Sequence, residues 1–272
     1  MKSPGIPGKN VFLLGASADI GRALAERFVR DGYDVVGTSR RGSAGPGLRF
    51  LACDVGDETS VRHAVEAYGA LGRPWDLWLS CVGTMEPIGS FMETEFSAWE
   101  KSILVNSTGQ LRVLHGLYPH RRRGEVCHAG FFAGGGTNGP FTCYSAYAAA
   151  KIFLIKMCEL LDNEVQDLNA FIVGPGWVRT RIHEQTLENA ATAGKNHERT
   201  SEFLKSGSPG TPMDDIYDCI RWCVSQGRDV AGGRNFSVVH DPWRAGGSDL
   251  AGQLKGHPDL FRLRRFGNPE RR

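Results

Sequence analysis

Tyr147 and Lys151 stand four residues apart in the 272-residue sequence. The apolar spacing around them predicts a helix over 144–165, so both side chains fall on one helix face. That pairing can move a proton. A phenol titrates at about pH 10 in isolation, but an ammonium beside it favours the phenolate and brings the hydroxyl toward neutrality. Tyr144 lies seven residues before Lys151 and shares the face, so spacing leaves it open as a packing or substrate residue. Cys219 and Cys223 are spaced i, i+4 on a predicted helix, but no second pair of ligands stands near, and no metal is assigned. The seven cysteines are odd in number and scattered, which suits reduced thiols.

A second feature is an anion site. Gly15-Ala16-Ser17-Ala18-Asp19-Ile20-Gly21 follows an apolar run and opens an amphipathic one. Gly15 permits a tight turn, Gly21 permits close helix packing, and the first-turn N–H groups with the helix dipole form a seat for a pyrophosphate. Asp19 stands where an N-cap would and is read as capping that helix. About 20 residues beyond Gly21 comes Thr38-Ser39-Arg40-Arg41. A carboxylate there would repel a ribose 2′-phosphate, whereas guanidinium groups bind one in a fork, which favours NADP(H) over NAD(H). Two solvated arginines are the plainer alternative.

The elements that must position these groups alternate between buried apolar runs and helical patterns. Strands are expected over 11–14, 33–38, 48–52, 75–80, 125–129, 168–173 and 234–239, and helices over 20–30, 59–69, 96–117, 144–165 and 213–225. This is the order of βαβ units. The expected fold class is α/β, a Rossmann-type doubly wound, seven-stranded parallel sheet with helices on both faces. The organisation expected is a single domain over 1–272, with a flexible 1–9, a substrate lid over 180–212 and an extension over 240–272.

In series, from about Asn10 to Val239, these motifs resemble the short-chain dehydrogenase/reductase family. The glycine turn is similar to its TGxxxGxG motif, with Leu14 for the threonine and Asp19 for the middle glycine. The resemblance implies that Tyr147 is the general acid/base, that Lys151 lowers its pKa and binds the nicotinamide ribose, and that Asn106 holds a water in the proton relay. It further implies a cofactor site of Gly15, Ser17, Asp19, Ile20 and Gly21 for the phosphates, with Ser39, Arg40 and Arg41 at the ribose. Asp54 and Val55 would meet the adenine, and Gly83 remains of an Asn-Asn-Ala-Gly loop that here reads Ser80-Cys81-Val82-Gly83. Tyr147 and Lys151 complete the site with Pro175, Gly176, Val178 and Thr180, the threonine reaching the carboxamide.

One piece is missing. The family's serine, which bonds the substrate carbonyl, lies about 13 residues before the tyrosine, and the stretch 127–136 has no hydroxyl. Counting back from Tyr147 reaches Gly134, while counting forward from the strand reaches Phe131. Loss of such a donor costs about 10² to 10³ in rate. Thr137 is the nearest downstream hydroxyl and the candidate replacement, with Thr142 and Tyr144 behind it. His128 is read as a core histidine. On the lid, Arg179, Arg181 and His183 suggest a small polar or anionic substrate, such as a nucleotide-linked sugar, with a mixed-charge solvated lid as the plainer reading.

With 32 basic and 30 acidic residues, no overall field points to nucleic acid or an anionic membrane. No apolar run is long enough for a membrane helix, and residues 1–10 do not read as a signal peptide, so a cytoplasmic protein is expected. The five arginines over 262–272 read as a solvated face. The resemblance implies a homodimer or homotetramer. The function that the resemblance implies is NADP(H)-dependent hydride transfer between the nicotinamide and a carbonyl or alcohol carbon of a small polar substrate, a nucleotide-linked sugar or another secondary-metabolite ketone. Two other functions stay open: a cofactor-binding protein with little or no turnover, or a sugar-nucleotide isomerase or dehydratase.

Overall fold

The computed structural model describes residues 10–42, 48–244 and 249–265. In chain order they form β1 (Asn10–Leu14), α1 (Asp19–Arg30), β2 (Asp34–Ser39), β3 (Arg49–Ala52), α2 (Glu58–Gly69) and β4 (Leu77–Ser80). Next come α3 (Phe96–Ile103), a π-helical turn (Leu104–Thr108), α4 (Gly109–Leu117), β5 (Cys127–Phe132), α5 (Ser145–Glu164) and β6 (Leu168–Gly174). The chain continues through α6 (Ile182–Glu188), α7 (Lys195–Lys205), α8 (Met213–Gln226), α9 (Arg228–Ala231), β7 (Asn235–Ser237) and α10 (Leu250–Gly256). The segment 1–9, expected to be flexible, lies outside the described residues, as do 245–248 and 266–272 of the extension.

All seven strands are parallel, in the order β3-β2-β1-β4-β5-β6-β7. Alternate residues of β1 serve opposite faces, as the strand period requires. Val11 and Leu13 pack with Leu24 and Phe28 of α1 and with α8. Phe12 and Leu14 pack with the other layer, which includes Val61 of α2, Val113 of α4 and Leu154 of α5. A sheet covered on both faces needs strands buried along their length, and β4 and β5 are buried at every residue. The sequence order reverses between β1 and β4, and the crevice outside the carboxyl ends of the strands at such a point is where this architecture binds ligands.

Three expectations are corrected in detail. The helix over 96–117 is interrupted by its π-turn, so α3 and α4 are separate elements. The last strand ends at Ser237, where its N–H is taken by the Asp241 carboxylate at 2.6 Å and Trp243 Nε1 donates to the Val238 carbonyl, curling the chain away. Regular structure then resumes in α10, and the buried Arg234 guanidinium holds the extension by donating to the carbonyls of Leu254, Leu260 and Val230. Of the tail arginines, Arg262 and Arg264 are not merely solvated: they pair with Asp162 and Glu159 of α5. His128 is a core residue, accepting from Asn169 Nδ2 at 3.0 Å, and burial pushes its imidazole down to about 4. Among the described residues no helix is long and apolar enough to cross a membrane.

Gly109 fixes how close α4 approaches the turn that follows β3. A β-carbon added there would collide with the Val55 carbonyl oxygen and come within 2.8 Å of that of Leu104, both main chain and unable to give way. Gly109→Ala is therefore expected to destabilise the protein by about 1–3 kcal/mol. A urea titration would show a lower midpoint, and an unchanged midpoint would contradict this close approach.

Candidate active site

The glycine turn joins β1 to α1. Gly15 has φ +79°, and its N–H donates to Thr38 Oγ1 at 2.9 Å, tying the turn to β2. A β-carbon at Gly21 would strike the Gly15 carbonyl oxygen and lie 3.0 Å from Ala16 Cα, so neither glycine can carry a side chain. The N-cap of α1 is Ala18, in extended conformation, and has no side-chain cap. Asp19 is the first helical residue and does not cap. Its carboxylate instead accepts from the Arg181 N–H at 2.7 Å and from Arg181 Nε at 3.0 Å, while Arg181 Nη2 donates to the Ser17 carbonyl. A groove of about 880 Å³ lined by Asp19, Arg22, Thr180 and Arg181 opens beside this turn. Ile20 is half-buried against the core beneath it.

At the end of β2, Ser39 is buried and its hydroxyl has no partner in the described structure. Arg40 and Arg41 follow on an exposed turn and pair with no described acid. The Ser39 carbonyl accepts from Cys53 N, placing Asp54 and Val55 beside them. Asp54 is exposed, with Oδ1 accepting from Gly56 N at 2.9 Å, and Val55 is buried.

The reacting residues meet at the far side of the switch point. A β-carbon at Gly15 would lie 2.9 Å from Val82 Cγ2, so the glycine turn abuts the loop after β4. One at Gly83 would lie 3.5 Å from Asn106 Oδ1 and 3.9 Å from Lys151 Nζ. Gly83, Asn106, Tyr147 and Lys151 thus share one site, reached without a break from the turn. Asn106, fully buried on the π-turn, accepts from Thr84 N at 3.0 Å and donates to the Thr84 carbonyl at 2.8 Å and to Ser102 Oγ at 3.1 Å. Single π-turns of this kind recur at functional sites. The thinned loop over 80–83 is rebuilt by Gln110, which accepts from Ser80 Oγ at 2.7 Å and donates to the carbonyls of Val82 and Val105.

Lys151 is 3% exposed and Tyr147 8%. The ammonium lies 5.7 Å from the centre of the Tyr147 ring and hydrogen-bonds to no described residue. Burial lowers Lys151 to about 8, opposed by Cys81, and raises Tyr147 to about 12. The expected drop of the phenol toward neutrality is therefore absent here: desolvation outweighs the nearby ammonium. Tyr147 holds its proton at neutral pH.

The segment after β6 begins with Pro175 and Gly176, the latter at φ +75°. Val178 is buried in a bridge to Gly210, and Thr180 Oγ1 donates to the Val178 carbonyl at 3.3 Å. Two helices, α6 and α7, then pack over Tyr147. Gln185 accepts from Met85 N at 2.7 Å, Thr186 meets the buried Tyr144 hydroxyl at 2.8 Å, and Asn196 donates to the Thr142 carbonyl. Tyr144 is an anchor for this segment. The three cations expected to meet an anionic substrate have other partners. Arg179 donates to the carbonyls of Leu204 and Ser208, Arg181 is held by Asp19, and His183 is buried against the Trp177 ring with Nε2 on the Val178 carbonyl. Tyr147 packs in an apolar cluster with Ile88, Tyr144 and Ala193, bordered by Met85, Phe141 and Cys143.

Thr137 is half-buried, and its hydroxyl bonds to no described residue. Gly134 is brought against Tyr147, since a β-carbon on it would lie 2.5 Å from Tyr147 Cε1 and 2.6 Å from Cζ. Gln110, Gln185 and Thr186 were not anticipated. The i, i+4 spacing of Asn106 and Gln110 was the one available signal, and nothing local marked the other two.

The family model described as short chain dehydrogenase matches residues 9–191. A serine 3-dehydrogenase of Rhizobium radiobacter is 28% identical over 232 residues, covering 81% of this chain and 89% of the relative. A 3-oxoacyl-[acyl-carrier-protein] reductase of Mycobacterium tuberculosis is 26% identical over 216 residues, covering 78% and 83%. Among solved structures, a short chain dehydrogenase/reductase from Saccharomyces cerevisiae superposes with a TM-score of 0.76 at 20% identity, covering 86% of this chain and 97% of the other. A 3-ketoacyl-(acyl-carrier-protein) reductase from Brucella melitensis, complexed with NADH, gives 0.70 at 21% identity, covering 86% and 98%.

Asn106 bridges both main-chain groups of Thr84 from a fully buried position. Asn106→Ala would strand them, at a cost of about 1–3 kcal/mol in stability. Thermal unfolding would read the loss, and a variant as stable as the parent would show that the bridge contributes nothing.

Proposed function

Because the chain belongs to the short-chain dehydrogenase family, we propose that it is an NADP(H)-dependent oxidoreductase that reduces a carbonyl carbon borne on an apolar group, with Tyr147 as proton donor. The observation that carries this reading is the buried Tyr147–Lys151 pair beside Gly83 and Asn106, with the phenol holding its proton and the ammonium lacking an acceptor.

The residues present fit a dinucleotide phosphate. Gly15 and Gly21 leave main chain bare at the start of α1, and Asp54 keeps one carboxylate oxygen free of protein partners. Ser39 has an orphaned buried hydroxyl, and Arg40 and Arg41 offer unpaired guanidinium groups for a 2′-phosphate. The residues that end β2 and follow it, Thr38-Ser39-Arg40-Arg41, include no acid, which supports NADP(H) here even though the Brucella melitensis structure was complexed with NADH. Bound cofactor would supply the hydride. Lys151 would bond ribose hydroxyls and thereby find the acceptor it lacks, Pro175, Gly176, Val178 and Thr180 would flank the nicotinamide, and Tyr147 would protonate the substrate oxygen. A protonated phenol is the form needed for reduction at neutral pH.

The apolar cluster packed with Tyr147, and the internal use of Arg179, Arg181 and His183, support an acyl or aromatic carbonyl compound over an anionic sugar nucleotide. Of the two relatives, the reductase of 3-oxoacyl groups is the better guide to substrate on this ground. Binding without turnover is the second reading, and the absent serine hydroxyl favours it. Pairing of copies through α3 and α5, as the resemblance implies, is supported by exposed Phe96, Phe153 and Leu160 on those packed helices.

Fluorescence titration is expected to show NADPH binding at least about tenfold tighter than NADH, with Arg40→Asp plus Arg41→Asp reversing the order. Tyr147→Phe should lower the reduction rate by about 10² to 10⁴ on 3-oxoacyl thioesters or aryl ketones while leaving NADPH binding intact. Turnover that survives this substitution would remove Tyr147 from the chemistry. Lys151 is charged below about 8 and neutral above it, so the reduction rate should fall as pH rises through about 8, while Tyr147 keeps its proton to about 12. A rate that rises across this window would mean that the phenolate is the working form.

A further inference from the structure

What stands opposite the Tyr147 hydroxyl is main chain. The last sheet bond of the strand that enters this site is Ala133 N to the Val173 carbonyl at 2.9 Å. After it come Gly134, Gly135 and Gly136, whose three N–H groups donate to no described residue. A side chain is excluded at the first of these positions and crowded at the other two. A β-carbon at Gly134 would sit within the Tyr147 phenol, 2.6 Å from Cζ; one at Gly135 would press on the Phe141 ring at 3.2 Å; one at Gly136 would meet Ala148 Cβ at 3.1 Å. Gly136 also has φ +104°, a conformation that glycine adopts readily. The phenol cannot easily move aside, because Phe141 packs edge-on against it at 6.3 Å while stacking on the buried Tyr144.

We propose that the main-chain N–H groups of Gly134–Gly136 replace the missing serine as the donors that polarise the substrate carbonyl opposite Tyr147. This rests on the proposed reductase reading and deepens it. Bound NADPH would supply the hydride and leave as NADP+; as the carbonyl carbon gained its C–H bond, the π-electron pair would move onto oxygen, and that oxygen would take the proton from Tyr147 Oη. The phenolate is reprotonated from solvent, and the glycine N–H groups stabilise the developing negative charge without being consumed. Backbone donors held in place before the reaction need no reorganisation as charge develops. A serine at 134 would put its side chain where the phenol now lies, so hydroxyl and phenol compete for one volume. The glycine is what lets Tyr147 lie against the loop.

The test uses the full-length protein and steady-state reduction of a 3-oxoacyl thioester by NADPH, with Tyr147→Phe alongside. Gly135→Pro deletes one N–H at a position whose φ is not positive, and Gly135→Ala keeps it and adds only the Phe141 contact. The expected result is a fall in kcat of about 10² to 10³ for Gly135→Pro, with KM and NADPH affinity within about twofold, and a kcat for Gly135→Ala at least about tenfold above that of Gly135→Pro. Gly134→Ser, which keeps every N–H, should also lose at least about tenfold by displacing the phenol, and it decides the matter if the proline variant fails to fold. Parental kcat in Gly135→Pro, or a higher kcat in Gly134→Ser, overturns the proposal while leaving the reductase reading intact. Parental turnover that is absent, or unaffected by Tyr147→Phe, overturns both.

Discussion

A lysine only 3% exposed, with its ammonium 5.7 Å from a ring centre and no anion against it among the described residues, is the constraint around which this molecule is organised. Burying an unpaired charge costs several kcal/mol, and the depressed Lys151 records that cost. The fold bears it because α5 is pinned along its length: Leu154, Ile155 and Cys158 lie in the core layer, and α3 packs on its other side. The lysine stem cannot leave without that helix leaving the sheet. An ammonium held in this way is strongly biased toward any ligand that brings oxygen acceptors to it. A β-carbon at the neighbouring Gly83 would lie 3.9 Å from Lys151 Nζ, so the glycine keeps that approach to the ammonium open.

The same burial sets the state of Tyr147. With Ile88, Tyr144 and Ala193 packed with the phenol, burial penalises its ionisation and pushes it up to about 12, so it keeps its proton at neutral pH. That packing stands because α6 and α7 are tied down at several points. Gln185 grips the loop after β4, Thr186 meets Tyr144, and Arg181 reaches across to Asp19 at the start of α1. The last contact sets a carboxylate at the glycine turn against a guanidinium from the segment after β6 and ties the two together.

Much of this was legible in the sequence, and what was not has physical reasons. Buried strands show as continuous apolar runs, and Tyr147, Lys151, Asn106 and Gly83 show by order and spacing, because each is a local pattern. The π-turn at Leu104–Thr108 was invisible, since one inserted residue shifts the helical phase without breaking the apolar run. Arg181 was assigned to a substrate because its partner Asp19 lies 162 positions away, and no periodicity reports on such a distance. The same holds for Gln185, whose acceptor role is to a loop 100 residues earlier. Gly134 was reached by counting, but Phe131 was reached equally well. Only the position of the Tyr147 ring separates them, and that depends on how α5 docks on the sheet.

The most direct measurement is a crystal structure of the protein with NADPH. The account requires Lys151 Nζ to lie about 3 Å from the nicotinamide ribose hydroxyls, with the diphosphate at the Gly15–Gly21 turn. If the bound dinucleotide lay elsewhere, or if Lys151 stayed without an acceptor beside it, the buried charge would have no functional reason and the chemistry argued from it would fall.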